Sequence, residues 1–238
     1  MKRSDTHDKT PAAPPELLLL GERLRTFGLV VRGGFDVETE DRELLNRSGK
    51  KAESIILVGN AGGAFWTIFD RWREDQPAKL ENPLDIWSRK VISEAVEGME
   101  ASFISPSERP YMPFQQWAMR AEGLRPSPLG ILMHPEWGLW HAYRGALLFD
   151  QPLGLACQAA GEHLCDSCIG KPCLKACPVD AYSATRFDYQ HCLAHVRGRH
   201  GEPCRSSGCL DRNVCPFAAE YRYPADMQAF IMRAYAGL

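Results

Sequence analysis

Apolar and polar positions along residues 21–150 follow periods that predict a mixed layer of helices and strands. LLLLGERLRTFG, from Leu17, repeats its apolar side chains at helical spacing and runs into Gly28, which predicts a first helix. LVVRGGF predicts a short strand entering a glycine turn. SIILVGNAGG, residues 54–63, opens with consecutive long or branched apolar side chains, which suit a buried strand, and its glycines permit a sharp turn afterwards. AFWTIFDRWRED sets Phe65, Trp66, Phe69 and Trp72 at helical spacing, an aromatic stripe expected in the core. PLDIWSRKVISEAVEGM predicts a further amphipathic helix, opened by Pro83 and closed near Gly98. RPYMPFQQWAMRAEGL reads as a proline-rich approach to a short helix, and RPSPLG as a loop. GILMHPEWGLWHAYRGALLF has an apolar run on each side of a polar, aromatic turn, which predicts a hairpin.

The periodicity stops there. Beyond it come cysteine-bearing loops and short helices, and before it residues 1–16, MKRSDTHDKTPAAPPE, offer little to pack and are expected to be disordered. The apolar stretch that follows is too short for a secretory signal or a bilayer span, so a cytoplasmic protein with no membrane partner is expected. Of 238 residues, 28 are basic and 30 acidic, a formal charge of -2 with mixed signs. That balance gives no basic field for nucleic acid. G-N-A-G-G lacks the spacing of a dinucleotide fingerprint, and no Walker lysine is present.

Eight of the nine cysteines lie between Cys165 and Cys215. An odd, clustered set in a reducing compartment argues against a disulfide framework and for metal binding. The first group is Cys165-x2-Cys168-x4-Cys173-x3-Cys177-Pro178, the second Cys192-x11-Cys204-x4-Cys209-x5-Cys215-Pro216. In two-cluster ferredoxins the cysteine before proline leaves its own loop and ligates the other cluster. Two such endings predict one [4Fe-4S] cluster on Cys165, Cys168, Cys173 and Cys215, and another on Cys192, Cys204, Cys209 and Cys177. Zinc is the rival, since four thiolates also make a tetrahedral site. His163, His191, His195 and His200 are expected to be surface or supporting residues, and Cys157 a small buried apolar one.

The segment ILMHPEWGLWHAYRGALLF resembles the H-P-x-x-G-x-W-x-x-x-R-G turn of CblC-type cobalamin-processing proteins, at His134, Pro135, Gly138, Trp140, Arg144 and Gly145. With WAMRAEGL before it and the Cys-Pro groups after, residues 110–222 resemble epoxyqueuosine reductase and the corrinoid reductive dehalogenases. The resemblance implies an α+β fold: a modified nitroreductase-like α/β domain over residues 17–157, then a bacterial-ferredoxin-like 2x[4Fe-4S] module over 158–222, with 223–238 a C-terminal helix or tail. It further implies a base-off corrinoid lined by His134, Trp140, His141, Tyr143 and Arg144, with Gly59, Asn60, Gly62 and Gly63 as a second wall.

The function so implied is a corrinoid-associated oxidoreductase that delivers single electrons to cobalt, reducing cobalamin or removing its upper ligand. The alternative is a ferredoxin-type electron-transfer protein whose N-terminal domain docks partners without corrinoid. Either would take electrons from a low-potential donor such as a ferredoxin, flavodoxin or reductase. The chain departs from epoxyqueuosine reductases at Ala121–Gly130, where A-E-G-L-R-P-S-P-L-G replaces A-G-L-G-W-x-G-K-N. No acidic residue aligns with that family's proton donor, and neither its helical-repeat extension for tRNA nor a Tat export signal is present. Epoxyqueuosine reduction and respiratory dehalogenation are therefore not expected.

Overall fold

The computed structural model of the protein describes residues 14–39, 44–46 and 49–238; the expected disordered tail falls largely outside them. Helix α1 (Pro15–Arg25) starts two residues before Leu17, with proline in its first turn, where a missing N–H costs nothing. Strand β1 (Val30–Asp36) and strand β2 (Ser54–Ala61) follow as the periodicity predicts. Helices α2 (Trp66–Glu74) and α3 (Pro83–Ala95) come next. Strand β3 (Ala101–Ile104), helix α4 (Phe114–Glu122), the two-residue strands β4 (Arg125–Pro126) and β5 (Leu132–Met133), and strand β6 (His141–Phe149) complete the α/β part.

The main sheet has the order β1-β2-β6-β3 and is antiparallel throughout. Seven of the eight β2 residues are buried, and alternate side chains enter two cores. Ile56 and Val58 join Leu20, Leu24, Phe65, Phe69, Trp87 and Ile92 under α1, α2 and α3. Ile55 and Leu57 join Phe35, Trp117, Ala118 and Leu148 under α4. A strand covered on both faces has no polar side to alternate with, which is why the sequence shows a continuous apolar run.

The expected hairpin is not formed. Leu132 and Met133 pair with Pro126 and Arg125, inside the stretch expected to be a loop, while His141–Phe149 enters the main sheet between β2 and β3. Between them His134 and Gly138 bridge a tight turn. The long partner for β6 is β2, which matches it in length and apolar content; Leu132–Met133 is too short to compete.

Residues beyond β6 carry short helices: α5 (Leu164–Ser167), α6 (Tyr189–Arg197), α7 (Glu202–Ser207), α8 (Leu210–Asn213) and α9 (Ala225–Ala236). Asp188 caps α6 by accepting from the His191 N–H. Helix α9 returns to the first core through Met227 and Phe230, which tilts against Trp66 at 5.4 Å. Among the described residues no helix is long and apolar enough to cross a membrane.

Candidate functional site

Two irregularities in the sheet face the same stretch of β2. In β1 the register shifts by one residue between Val31 and Gly34, opposite Leu57. In β6 it shifts at Arg144, which falls between Tyr143, opposite Gly59, and Gly145, opposite Val58. A bulge turns a side chain out of the regular alternation. Gly33 makes the first one possible: its φ is +89°, and a Cβ there would stand 3.0 Å from the Ala121 carbonyl oxygen of α4.

The bulge sends Arg32 into the protein. Its side chain is 0% exposed; Nη2 donates to Glu122 Oε2 at 2.7 Å and to the Tyr143 hydroxyl at 3.2 Å. Nη1 lies 3.1 Å from His141 Nδ1, while His141 Nε2 is 2.8 Å from the Leu132 carbonyl. Nε2 must carry the proton to donate to that carbonyl, leaving Nδ1 to accept from Arg32. The guanidinium carbon stands over the Trp137 ring at 4.7 Å and the Tyr143 ring at 4.6 Å. Arg32 Nε and Glu122 Oε1 are buried without a hydrogen-bond partner.

Burial and the Arg32 charge set the protonation states. Burial pushes the His141 imidazole down to about 3 and that of His134 to about 4, with Arg32 adding to both, so both rings are neutral. His134 stacks on Trp137 at 3.9 Å, and its Nδ1 accepts from the N–H groups of Glu136 and Trp137. Burial raises the Glu122 carboxyl although Arg32 pulls the other way, and it raises the Tyr143 phenol as well. The result is a fixed cation surrounded by groups able to hold or pass a proton.

The residues assigned to a corrin pocket are placed otherwise. Trp140 is wholly buried in the first core, stacked edge-on against Tyr223 at 5.4 Å with Arg212 4.5 Å above its ring. Asn60 is buried too: Nδ2 donates to the Gly62 carbonyl and the Tyr223 hydroxyl, and Oδ1 accepts from Arg144 Nε at 3.0 Å. Arg144 lies over Phe65 on the opposite side of the sheet from Tyr143. Gly59 is inside the sheet, where a Cβ would meet the Ala142 oxygen at 2.2 Å. Gly62 and Gly63 back onto Tyr221 and Pro224, so chain fills the wall they were expected to offer a ligand. Cavities of about 410 Å³, beside Arg23 and Glu94, and about 240 Å³, beside Phe103 and Met112, lie away from all of these residues.

Arg32, Glu122 and Trp137 were not singled out in the sequence. The Gly-Gly pair inside an otherwise strand-like stretch was the one signal for the bulge that aims Arg32.

The cysteines gather into two sets. Cys165, Cys173 and Cys215 share a buried cluster with Leu129, Met133 and Leu139, and Cys165 feels the charge of Cys168, Cys173 and Cys215. Cys204 feels Cys177 and Cys192, Cys192 feels Cys177, and Cys209 feels Cys192. Each set thus includes the Cys-Pro cysteine of the other group. Burial pushes the thiols of Cys165 and Cys209 up to about 11. Among the described residues, no three Cys, His, Asp or Glu side chains converge tightly enough to hold one metal ion. Asp211, buried near both sets, accepts from the Ala176 N–H at 2.9 Å. Cys157, expected to be buried, is exposed, because its segment runs over the surface without regular structure.

No family model and no curated protein matches the chain. Solved structures of epoxyqueuosine reductase are similar in fold. The one from Streptococcus thermophilus aligns with a TM-score of 0.52 and 14% identity over 87% of this chain and 67% of that one. The one from Bacillus subtilis gives 0.51 and 15% over 87% and 67%. One solved with a tRNA stem loop gives 0.49 and 15% over 88% and 67%.

Proposed function

We propose that the protein is an iron–sulfur redox protein of the epoxyqueuosine-reductase fold that passes single electrons toward the Arg32–Glu122 site. Two [4Fe-4S] clusters are held by Cys165, Cys168, Cys173 and Cys215, and by Cys177, Cys192, Cys204 and Cys209. The observation that carries this reading is the pairing of the cysteines into two all-thiol sets that exchange their Cys-Pro members.

The donor set fits the group. A single zinc ion with Zn–S bonds of 2.3 Å would draw its thiolates to about 3.8 Å from one another, and the absence of any such convergence favours thiolates spread around a larger body. Bound there, such clusters supply one-electron transfer. The protein's own part is to shield and connect. Leu129, Met133, Leu139 and Phe217 keep water from the first set. Arg212 of α8 donates to the Leu139 carbonyl and lies on Trp140, fixing the cysteine-bearing segment against the sheet. Leu132 and Met133 then lead directly to His141 and Arg32, where Glu122 and Tyr143 hold protons.

A corrinoid does not fit the residues assigned to it. Gly59, Asn60, Gly62, Gly63, Trp140 and His141 are all occupied by other parts of the chain. The reading that fits is the ferredoxin-type one, with an acceptor other than a corrin held at those positions and a low-potential carrier as donor. The mixed charge of the chain offers no extended basic field for nucleic acid. A corrinoid docking elsewhere, as a dissociable substrate, is the second reading, favoured by the shared fold.

Anaerobic titration of the reconstituted protein with cob(II)alamin and with FMN, followed by absorption and EPR, separates the two. No binding of either is expected, and a shift of cobalt to a base-off signal would favour the second reading.

A further inference from the structure

We infer that Arg212, Arg222 and Lys171 make the set of Cys165, Cys168, Cys173 and Cys215 the more easily reduced of the two, an inference that rests on the iron–sulfur reading above. An electron shared between the sets would then rest at the one packed against Leu129, Met133 and Leu139, on the side of the Arg32–Glu122 site.

The cause is the distribution of fixed charge. Adding an electron makes a thiolate-bound cluster more anionic, so nearby cations favour the reduced form and nearby anions oppose it. Arg212 and Arg222 both act on Cys215, and Lys171 acts on Cys165. Arg212 is held in place by the Leu139 carbonyl and by the rings of Trp140 and Tyr223, 4.5 and 4.6 Å away, and its Nε is buried without a partner. Arg222 donates to the Asn213 carbonyl at 2.7 Å, and Lys171 to the Cys165 carbonyl. None of the three forms an ion pair among the described residues, so no carboxylate cancels their charge.

The second set has the opposite neighbour. Asp211, 1% exposed, acts on Cys192, Cys204 and Cys209, and its Oδ2 has no hydrogen-bond partner. It also reaches Cys173, but there it meets the cations of the first set. Arg205 acts on Cys204, with its guanidinium tied to the Val196 and Gly198 carbonyls. The Tyr235 hydroxyl beside Cys192 and the Ala181 N–H, 3.4 Å from Cys177 Sγ, work in the other direction. They are dipoles, whose influence falls off faster than that of whole charges. Backbone N–H groups reach sulfur in both sets, at Cys215 and at Cys209, and do not distinguish them.

The test is an EPR-monitored redox titration of the full-length, anaerobically reconstituted protein. A Cys192→Ala, Cys204→Ala variant identifies the signal of the first set. The higher midpoint is expected to belong to that set. Arg222→Gln, at an exposed position, and Lys171→Asn, at a left-handed backbone site that asparagine accepts, should each lower it and leave the other midpoint in place. Asp211→Asn should raise the lower midpoint. Coincident midpoints, a higher midpoint on the second set, or variants that move the wrong signal would overturn the inference while leaving the iron–sulfur reading intact. Protein that takes up no iron and sulfide would overturn both.

Discussion

Arg32 of the β1 bulge and Glu122, the last residue of α4, form an ion pair at 2.7 Å with the arginine side chain wholly buried. Removing one partner from such a pair strands the other charge, at a cost of about 3–5 kcal/mol. Glu122→Ala is therefore expected to lower unfolding stability by that amount, measured by urea denaturation. The double variant Arg32→Met, Glu122→Leu should recover most of the loss. Equal loss in both would show that the bulge geometry, not the charge, is what matters.

Acid should destabilise the fold through its buried histidines. The His141 imidazole is held down to about 3 and that of His134 to about 4, against an ordinary value near 6.5. Between those limits the unfolded chain binds more protons than the folded one, so stability is complete above about pH 6.5 and falls as pH drops toward 4 and 3. The slope from His141 is about 1.4 kcal/mol per pH unit at most, with less from the more exposed His134. Urea denaturation between pH 4 and pH 7 measures it, and His141→Gln should flatten the profile.

Gly59→Ala separates a ligand wall from a packed strand. The new methyl group would stand 2.2 Å from the Ala142 carbonyl oxygen, a backbone atom that cannot move without breaking the sheet. The expected cost is about 2–3 kcal/mol, seen as a lower thermal midpoint in protein without any cofactor added. Unchanged stability would indicate that the strand has room there for a ligand.

Cys177→Ser tests the crossing of the ligands. Cys177 lies with Cys192 and Cys204, so the variant should lose the iron held by those residues and keep that of Cys165, Cys168, Cys173 and Cys215. Iron analysis with EPR of the reduced protein reads this directly, and selective loss of the other set would contradict the assignment.

The elements with strong local patterns were legible in the sequence: β2 from its continuous apolar run, α2 from its aromatic stripe, α3 from its proline start. The strand partner of β6 was not, because pairing is settled by contact with β2, more than 80 residues earlier in the chain. The grouping expected of the cysteines follows the two Cys-Pro endings, which are local marks of a crossing ligand. Arg32 and Glu122 were invisible for the opposite reason: 90 positions separate them, and a buried ion pair leaves no periodic trace. Trp140 and Arg144 were visible as a motif, yet the motif could not disclose that Tyr223, Arg212, Asn60 and Phe65 would cover them.

The most direct test of the account is the iron, acid-labile sulfide and zinc content of protein purified without oxygen. About eight irons and about eight sulfides per chain, as two four-iron clusters require, are predicted. Two to four zinc ions per chain without sulfide would contradict the account.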